Sequence, residues 1–293
     1  MYRKKTSYVI TLVAKNKEIY TQFKNKVTKL LSKYDINITE TNNLSEFVID
    51  YIFYCEKEVF LNIKNVLHSF NKKVDIFIQK NINRKKKIIA CDMDMTVIDV
   101  ETINLIAKEI IKNKNIIELT KKAMNGEISF QKSIINRTKM LKGVNVKDII
   151  HLIKKINITP GVKSVIKTMN KFGYHTMLIS GGYDIIANKI GQEIGFKEVF
   201  SNSLQVKNNV LTGNLDGKVV DRNGKLNLLN KRVSSLKINT KDTLAVGDGD
   251  NDIAMINRAG IGVAWRAYPK VKIKADVSLN TDFKSLLYIQ GYF

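Results

Sequence analysis

The segment KKIIACDMDMT (86–96) decides the fold that we predict for this chain. A short apolar run, typical of a buried strand, leads directly into two aspartates. Two similar segments follow, HTMLIS (175–180), which precedes two glycines, and DTLAVGDGDND (242–252). In a parallel α/β sheet the carboxyl ends of neighbouring strands open into one crevice. The three segments therefore predict a doubly wound, Rossmann-like parallel sheet with polar side chains gathered at one edge.

The composition bounds the possible partners. The chain has 293 residues, a formal net charge of +22 and 49 basic residues, of which only seven are Arg. Nucleic-acid readers concentrate Arg on one face or arm, whereas here Lys is spread through every segment, so we expect no nucleic-acid partner. No window approaches the roughly 18 apolar residues that span a bilayer, and the N-terminus has no cleavage site of the signal-peptide type. Two isolated cysteines, Cys55 and Cys91, suit a reducing compartment, so we expect a cytoplasmic protein that binds no membrane.

Residues 1–83 are predicted to form a separate module with the element order βαββαβ. The segments SYVITLVA (7–14) and KEIYTQFKNKVTKLLSKY (17–34) read as its first strand and helix, and NNLS (42–45) as a turn between its second and third strands. This order resembles the ACT-like or ferredoxin-like plait. We expect the module to have a structural role, with a possible homo-oligomer forming through it.

The rest of the chain is predicted to be a catalytic core interrupted by helices. Residues 84–100 and 156–293 alternate strand and helix, as βαβ units do. Residues 101–155 have helical periodicity and almost no strand signal, which predicts a cap inserted after the first strand, placed to cover the crevice. Within the core, SLQVKNNVLTGNL (203–215) predicts a hairpin that turns at Asn208 and Asn209.

Polar groups suited to phosphate chemistry follow the first two strands. Asp92 and Asp94 lie where the chain leaves the strand, so one carboxylate can face a phosphorus atom while the other faces the leaving oxygen. Ser180 and Gly181 can present a hydroxyl and a backbone N–H to a phosphate oxygen beside a helix N-terminus. The glycine-rich stretch taken alone is equally typical of an ordinary turn.

The loop GDGDND (247–252) predicts a metal site. Three carboxylates in so tight a loop repel one another unless a cation neutralises them, and hard oxygen ligands select Mg²⁺. A solvated acidic turn is the alternative for this loop by itself.

In this order and with these strand contexts, the three motifs resemble the haloacid dehalogenase superfamily, in particular its phosphoserine phosphatase branch, over about residues 85–280. The resemblance implies that Asp92 is a nucleophile that becomes an aspartyl-phosphate and that Asp94 is the general acid and base. It implies a Mg²⁺ ion held by Asp92, Asp248 and the backbone carbonyl of Asp94. It further implies that Lys225 neutralises the transferring group and that Asp252 pairs with this lysine. The phosphate would be bound by Ser180, Gly181 and Asn251.

The resemblance also implies a pocket for the remainder of the substrate within residues 101–155. Glu101 would receive an ammonium group and Arg137 would hold a carboxylate, with Met124 and Phe130 as apolar walls. Taken alone, Glu101 could complement a helix N-terminus and Arg137 could lie on a solvated helix face. Met95 stands where the branch usually has Ser.

We therefore expect a Mg²⁺-dependent phosphoric monoester hydrolase that converts O-phospho-L-serine into L-serine and phosphate, the last step of serine biosynthesis. One alternative keeps this chemistry on another small phosphomonoester, such as homoserine phosphate. The other is a non-catalytic amino-acid-sensing protein.

Overall fold

The structure, a computed structural model, describes residues 5–70, 73–124 and 127–293, without the side chains of Lys114 and Met124. Its strands are β1 (Thr6–Val13), β2 (Ile38–Ser45), β3 (Val48–Cys55), β4 (Asp75–Lys80), β5 (Ile88–Cys91), β6 (His175–Tyr183), β7 (Glu198–Lys207), β8 (Val210–Asp216), β9 (Thr243–Gly247), β10 (Ile261–Trp265) and β11 (Val277–Leu279). Its α-helices are α1 (Lys17–Lys33), α2 (Lys57–His68), α3 (Thr102–Ile106), α4 (Lys114–Met124), α5 (Phe130–Lys139), α6 (Val146–Ile153), α7 (Val162–Lys171), α8 (Asp184–Ile194), α9 (Arg222–Ser235), α10 (Ile253–Arg258), α11 (Pro269–Lys274) and α12 (Ser285–Tyr288). Across the described residues, no helix combines the length and the apolar character needed to cross a membrane.

The chain divides into two compact units. One contains Met1–Lys86 together with Val277–Phe293, and the other contains Lys87–Asp276. The sequence places residues 277–293 in the catalytic core, whereas their contacts group them with the N-terminal residues. A sequence pattern carries no signal for such a return, because it depends on hydrogen bonds between side chains and backbone groups far apart in the chain.

The first unit contains an antiparallel sheet in the order β2-β3-β1-β4. Its core is built from alternate residues of β1 and β3, such as Ile10 and Tyr51, which pack with Val27 and Leu31 of α1. This alternation arises because successive strand residues point to opposite faces of a sheet.

The turn predicted at NNLS (42–45) is wrong. These residues belong to β2, and the reversal occurs at Glu46 and Phe47, because Ser45 pairs with Val48. The register of β2 shifts twice along β3, and β2 lies at the edge of the sheet. Bulged edge strands accept turn-prone residues such as Asn, which explains the error.

The second unit contains a sheet in the order β10-β9-β5-β6-β7-β8. Strand β5 is parallel to both neighbours, β6 and β9, and β8 alone among these strands of the described residues runs antiparallel to its partner. The hairpin of β7 and β8 turns at Asn208 and Asn209, at φ 52° and 62°, as predicted. Helices α3 to α6 lie between β5 and α7 in the chain, and α4 and α5 pack on each other.

Candidate active site

The ends of three neighbouring strands bring the polar segments together. Cys91, the last residue of β5, lies opposite Leu178 of β6 on one side and Val246 of β9 on the other. All three strands run in the same direction, so the residues that follow them emerge at one edge of the sheet. Asp92 begins this edge, and its backbone N–H donates to the Val246 carbonyl at 2.9 Å.

A tight turn follows the second aspartate of DMDMT. Met95 adopts φ 56°, a left-handed conformation that a methionine rarely takes, and its side chain is exposed. The turn lets Asp94 accept hydrogen bonds from Thr102, from the backbone N–H at 3.3 Å and from Oγ1 at 3.2 Å. Thr96 is buried and donates from Oγ1 to Asp248 Oδ1 at 3.1 Å. The two threonines thus orient two of the predicted catalytic carboxylates.

Lys225 connects two acidic segments at the centre of the site. Its side chain is fully buried near the start of α9, and Nζ donates to Asp92 Oδ1 and, at 2.7 Å, to Asp252 Oδ1. The other oxygen of Asp252 accepts from the backbone N–H groups of Asp248 and Gly249, at 3.2 and 3.0 Å. Both oxygens of Asp252 are therefore occupied by protein donors.

Gly247 is required where this loop begins. A Cβ at this position would lie 2.4 Å from Cγ of Asp252. Any side chain here would push away the carboxylate that holds both Lys225 and the loop backbone, so only glycine permits this arrangement.

Burial and repulsion between neighbouring carboxylates raise the pKa values of several acidic residues in the site. Burial raises the pKa of Asp92 to about 7; the charge of Asp252 adds to the rise and Lys225 opposes it. Burial also raises the pKa of Asp94 well above its ordinary value, with further contributions from the charges of Glu101 and Asp92. Burial alone would lower the pKa of Lys225, but Asp252 and Asp92 outweigh it and hold that pKa above its ordinary value.

The charge balance of the site fits a divalent cation. Five carboxylates (Asp92, Asp94, Glu101, Asp248, Asp252) face two cationic side chains (Arg137, Lys225), which leaves a net charge of −3 when all are ionised. Oxygens of Asp92, Asp248 and Asp252 lie within 4.8 Å of one another. Since Asp252 is already occupied, Asp92 and Asp248 are the members of this group that could bind a metal. Oxygen ligands of this kind suit a hard cation.

The glycine-rich segment after β6 lies against the same cavity. Ser180 is buried, and its Oγ accepts from the backbone N–H of Gly182 at 2.8 Å. A Cβ at Gly181 would lie 2.7 Å from Cζ of Phe130 and 3.2 Å from Nδ2 of Asn251. Glycine at this position therefore lets the backbone approach both predicted ligand-binding side chains closely.

One cavity collects most of the predicted site residues. Its lining contains Asp92, Asp94, Glu101, Ile103, Phe130, Ile134, Arg137, Gly181, Gly182, Tyr183, Asp248, Gly249 and Asn251. Ser180, Lys225 and Asp252 lie outside this lining. Lys225 pairs with the lining residue Asp92, and Asp252 pairs in turn with Lys225. The predicted wall residue Met124 lies outside the described side chains.

The two charged side chains predicted to bind the substrate, those of Arg137 and Glu101, are not ordinary exposed surface groups. Arg137 is buried in α5, and its guanidinium carbon lies 5.9 Å from the ring centroid of Phe130. Glu101 precedes α3, but its side chain makes no capping hydrogen bond. Burial raises the pKa of Glu101, and the charges of Arg137 and Lys225 oppose this rise. Among the described residues no ion pair joins Glu101 to Arg137, so both charges are available to a ligand.

Sequence reasoning did not identify several residues that shape the site. Tyr183 lines the cavity, and Asn202 holds the predicted phosphate-binding segment by donating from Nδ2 to the Gly181 carbonyl at 2.8 Å. Thr102 orients Asp94, and Thr120 contacts Arg137. A lone Thr or Asn has no motif, and its importance depends on partners brought close only by the fold. For Thr102, its position beside Glu101 was the available signal.

Comparisons with known proteins agree with this geometry. The model of the family described as haloacid dehalogenase-like hydrolase matches residues 89–257. Phosphoserine phosphatase of Methanocaldococcus jannaschii is 38% identical over 207 residues, which cover 70% of this chain and 98% of that protein. Phosphoserine phosphatase of Saccharomyces cerevisiae is 32% identical over 300 residues, covering 98% of this chain and 97% of that protein. The crystal structure of an HAD family hydrolase from Salmonella enterica serovar Typhi superposes with a TM-score of 0.84 at 26% identity, covering 97% of this chain and 99% of that one. The chain belongs to the haloacid dehalogenase-like hydrolase family.

Proposed function

We propose that this protein hydrolyses O-phospho-L-serine to L-serine and phosphate. The observation that carries the proposal is one cavity whose lining contains the Asp92 and Asp94 carboxylates together with Glu101, which has no ion pair within the described part of the chain, and the buried Arg137. The first pair suits phosphoryl transfer, and the second suits the ammonium and carboxylate groups of an amino acid. Two relatives similar to this chain over 70% and 98% of its length are phosphoserine phosphatases, which supports the same substrate here.

In the first chemical step, an oxygen of Asp92 attacks phosphorus and the bond from phosphorus to the serine oxygen breaks. Asp94 gives its proton to the departing serine oxygen. The raised pKa of Asp94 supports this role, because the group must hold a proton near neutral pH before the step. Lys225 keeps Asp92 oriented through their ion pair and places a positive charge beside the oxygens of the transferring group.

In the second step, Asp94 takes a proton from water, and the water oxygen attacks the phosphorus of the aspartyl-phosphate. The bond between phosphorus and the Asp92 oxygen breaks, which releases phosphate and restores both aspartates. Ser180, the backbone N–H of Gly181 and the amide of Asn251 are proposed to bind the phosphate oxygens in both steps.

We assign Mg²⁺ as the cofactor, held by Asp92, Asp248 and the backbone carbonyl of Asp94. When bound, it would neutralise the negative charge of the phosphate and of the surrounding carboxylates. Asp252 would not bind the ion, because Lys225 and two backbone N–H groups occupy its oxygens.

We further propose the domain roles suggested by the sequence. Residues 1–83 form an ACT-like module that pairs subunits, and the order β1-α1-β2-β3-α2-β4 supports this assignment. Residues 101–155 form a cap over the rest of the unit Lys87–Asp276, and the run of helices α3 to α6 supports this assignment. The buried free thiols of Cys55 and Cys91 support a cytoplasmic location.

The test is phosphate release by the full chain in the presence of Mg²⁺. We expect the highest kcat/KM for O-phospho-L-serine, lower values for phosphothreonine, homoserine phosphate and sugar phosphates, and loss of activity after chelation that added Mg²⁺ restores. A preference for homoserine phosphate or for sugar phosphates would overturn the substrate. No phosphate release under any divalent metal would overturn the enzyme itself.

A further inference from the structure

We propose that Thr120 is a positioning residue that holds the Arg137 guanidinium and thereby sets the preference for phosphomonoesters that carry a carboxylate. The inference rests on the proposed function, since it concerns how the same cavity selects its substrate. It assigns a role to a residue on α4 that does not line the cavity and belongs to none of the three motifs.

The hydrogen bonds of Thr120 show that its hydroxyl acts as an acceptor toward Arg137. Thr120 is buried, and Oγ1 donates its single proton to the Ile116 carbonyl at 2.9 Å, one turn earlier in α4. Its oxygen is therefore free only to accept, and it accepts from Arg137 Nη1 at 3.1 Å. Because the proton is fixed by the helix backbone, the lone pairs of Thr120 point in a defined direction.

The guanidinium of Arg137 is held through two of its three nitrogens. Its Nε donates to the Ser133 carbonyl at 3.4 Å, and one N–H of Nη1 donates to Thr120. A guanidinium has five N–H donors in a rigid plane, so both N–H groups of Nη2 and one of Nη1 remain. No acceptor in the described part of the chain bonds them. They are the donors that a bidentate contact with a substrate carboxylate requires.

The neutral acceptor matters for the electrostatics. A carboxylate in place of Thr120 would neutralise Arg137 and compete with the substrate for it. The hydroxyl instead fixes the plane of the guanidinium and leaves its full positive charge for a ligand. Of the two protein acceptors, the Ser133 bond is long and lies within the same helix, so the Thr120 bond is the better restraint on rotation of the side chain.

The restraint also joins two helices. Thr120 lies on α4 and Arg137 on α5, which pack on each other. If the hydroxyl is lost, Arg137 keeps its charge and its place in α5, but the orientation of its donors must be established when the substrate binds. Ordering a long side chain when the substrate binds costs binding free energy. Only substrates that bond to these donors therefore lose affinity.

The test compares two substrates that differ in one group. O-phospho-L-serine has a carboxylate, and O-phosphoethanolamine lacks it while keeping the phosphate and the ammonium. In Thr120→Val, which preserves shape, we expect kcat/KM for phosphoserine to fall roughly tenfold, mainly through KM, the effect of one hydrogen bond to a charged group. The value for phosphoethanolamine should stay near that of the unmodified protein. Thr120→Ser retains the hydroxyl and should restore the preference.

Equal losses on the two substrates, or an unchanged ratio in Thr120→Val, would overturn the role of Thr120. If Thr120→Val fails to fold, as judged by its thermal transition, Thr120→Ala removes the same hydroxyl with a smaller side chain and must show the same change of ratio. The proposed function has a separate failure: the unmodified protein would then show no preference for phosphoserine in the first place.

Discussion

At the scale of single residues, Lys225 has the most constrained environment in the site. It is fully buried between Asp92 and Asp252, and it is the nearest positive charge to a group of carboxylates. A buried ion pair adds little net stability compared with a well-packed apolar pair, but removing one partner leaves an uncompensated charge. The same lysine therefore compensates the charge of the buried carboxylates and has a proposed role in the chemistry, and the two can be separated by experiment.

We predict that Lys225→Met lowers the free energy of unfolding of the metal-free protein by about 3–5 kcal/mol at neutral pH. The control is Lys231→Met on the exposed side of the same helix, expected to change it by less than about 0.5 kcal/mol. Chemical denaturation of both variants measures the difference. Equal effects would show that Lys225 is not the compensating charge.

This destabilisation should depend on pH. Without Lys225, the pKa of Asp92 in the folded state rises further above its value of about 7, while in the unfolded chain it returns to its ordinary value. The folded variant then binds protons that the unfolded chain does not, so its stability increases as the pH falls. We expect the deficit relative to the unmodified protein to shrink from about pH 8 to about pH 6. A deficit that grows over this range would contradict the assignment.

The predicted nucleophile gives a test of the chemistry. Asp92→Asn keeps the shape of the side chain but removes the attacking oxygen's charge, so kcat for phosphoserine should fall by about 10³-fold or more while the thermal transition persists. The control is Asp250→Asn in the nearby loop, whose carboxylate pairs with Arg222 and Lys270 and has no proposed role. A phosphorylated enzyme trapped from Asp92→Asn would refute the assignment.

At the scale of elements, the end of β6 is bonded to helix α5. Tyr183, which follows the proposed phosphate-binding segment, shares a hydrogen bond of 2.9 Å with Thr138, one residue after Arg137. Thr138 Oγ1 donates to the Ile134 carbonyl at 2.8 Å, so the tyrosine hydroxyl is the donor in this pair. One hydrogen bond thus links the strand that contains part of the proposed phosphate site to the helix that contains the proposed carboxylate-binding Arg137.

We predict that Tyr183→Phe loosens α5 selectively. Because Thr138 keeps its bond to Ile134, no buried group is left unsatisfied, and the loss should be about 1 kcal/mol. Amide hydrogen exchange should quicken in Phe130–Lys139 and stay unchanged in Ile88–Cys91. Tyr174→Phe is the control, since among the described residues its hydroxyl has no hydrogen-bond partner. Unchanged exchange in α5 would show that the bond does not hold the helix.

The secondary-structure elements also show which parts of the fold could be predicted from the sequence. Strands β5, β6 and β9 were predictable because apolar runs ending in Asp or Ser carry a local signal, and parallel pairing then fixes where those residues meet. The hydrogen bonds of Thr120 with Arg137 and of Tyr183 with Thr138 could not be predicted, because each joins residues at least 17 positions apart through a single hydroxyl. The turn at NNLS was misplaced because bulges at a sheet edge depend on the partner strand.

At the scale of the whole molecule, the two ends of the chain fold into one unit. Residues 277–293 contact the N-terminal residues through polar groups: the partly buried Arg84 bonds the Tyr288 carbonyl at 3.2 Å and pairs with Asp50 at 2.7 Å. Asp75, at the start of β4, is buried and accepts from the backbone of Asn280 at 2.6 Å and from Ser285 Oγ at 2.9 Å. The last residues are thus held by side chains more than 200 positions away.

Asp75 provides a direct test of this attachment. Its Oδ1 accepts from the backbone N–H groups of Asn280 at 2.6 Å and Thr281 at 3.2 Å, and its Oδ2 accepts from the same Thr281 N–H at 3.0 Å. In Asp75→Asn the amide nitrogen replaces one of these two acceptors and faces an N–H group, so both backbone donors must share one neutral oxygen, at a cost of about 1–3 kcal/mol. We expect faster amide exchange in Ser285–Tyr288. In the control, Asp282→Asn, the side chain accepts, among the residues that the structure describes, only from the Lys284 N–H, which an amide oxygen can equally do, so exchange should be unchanged. Equal exchange in both variants would mean that Asp75 does not hold the end of the chain, and the grouping of residues 277–293 with the N-terminal unit would then depend on apolar packing and Arg84.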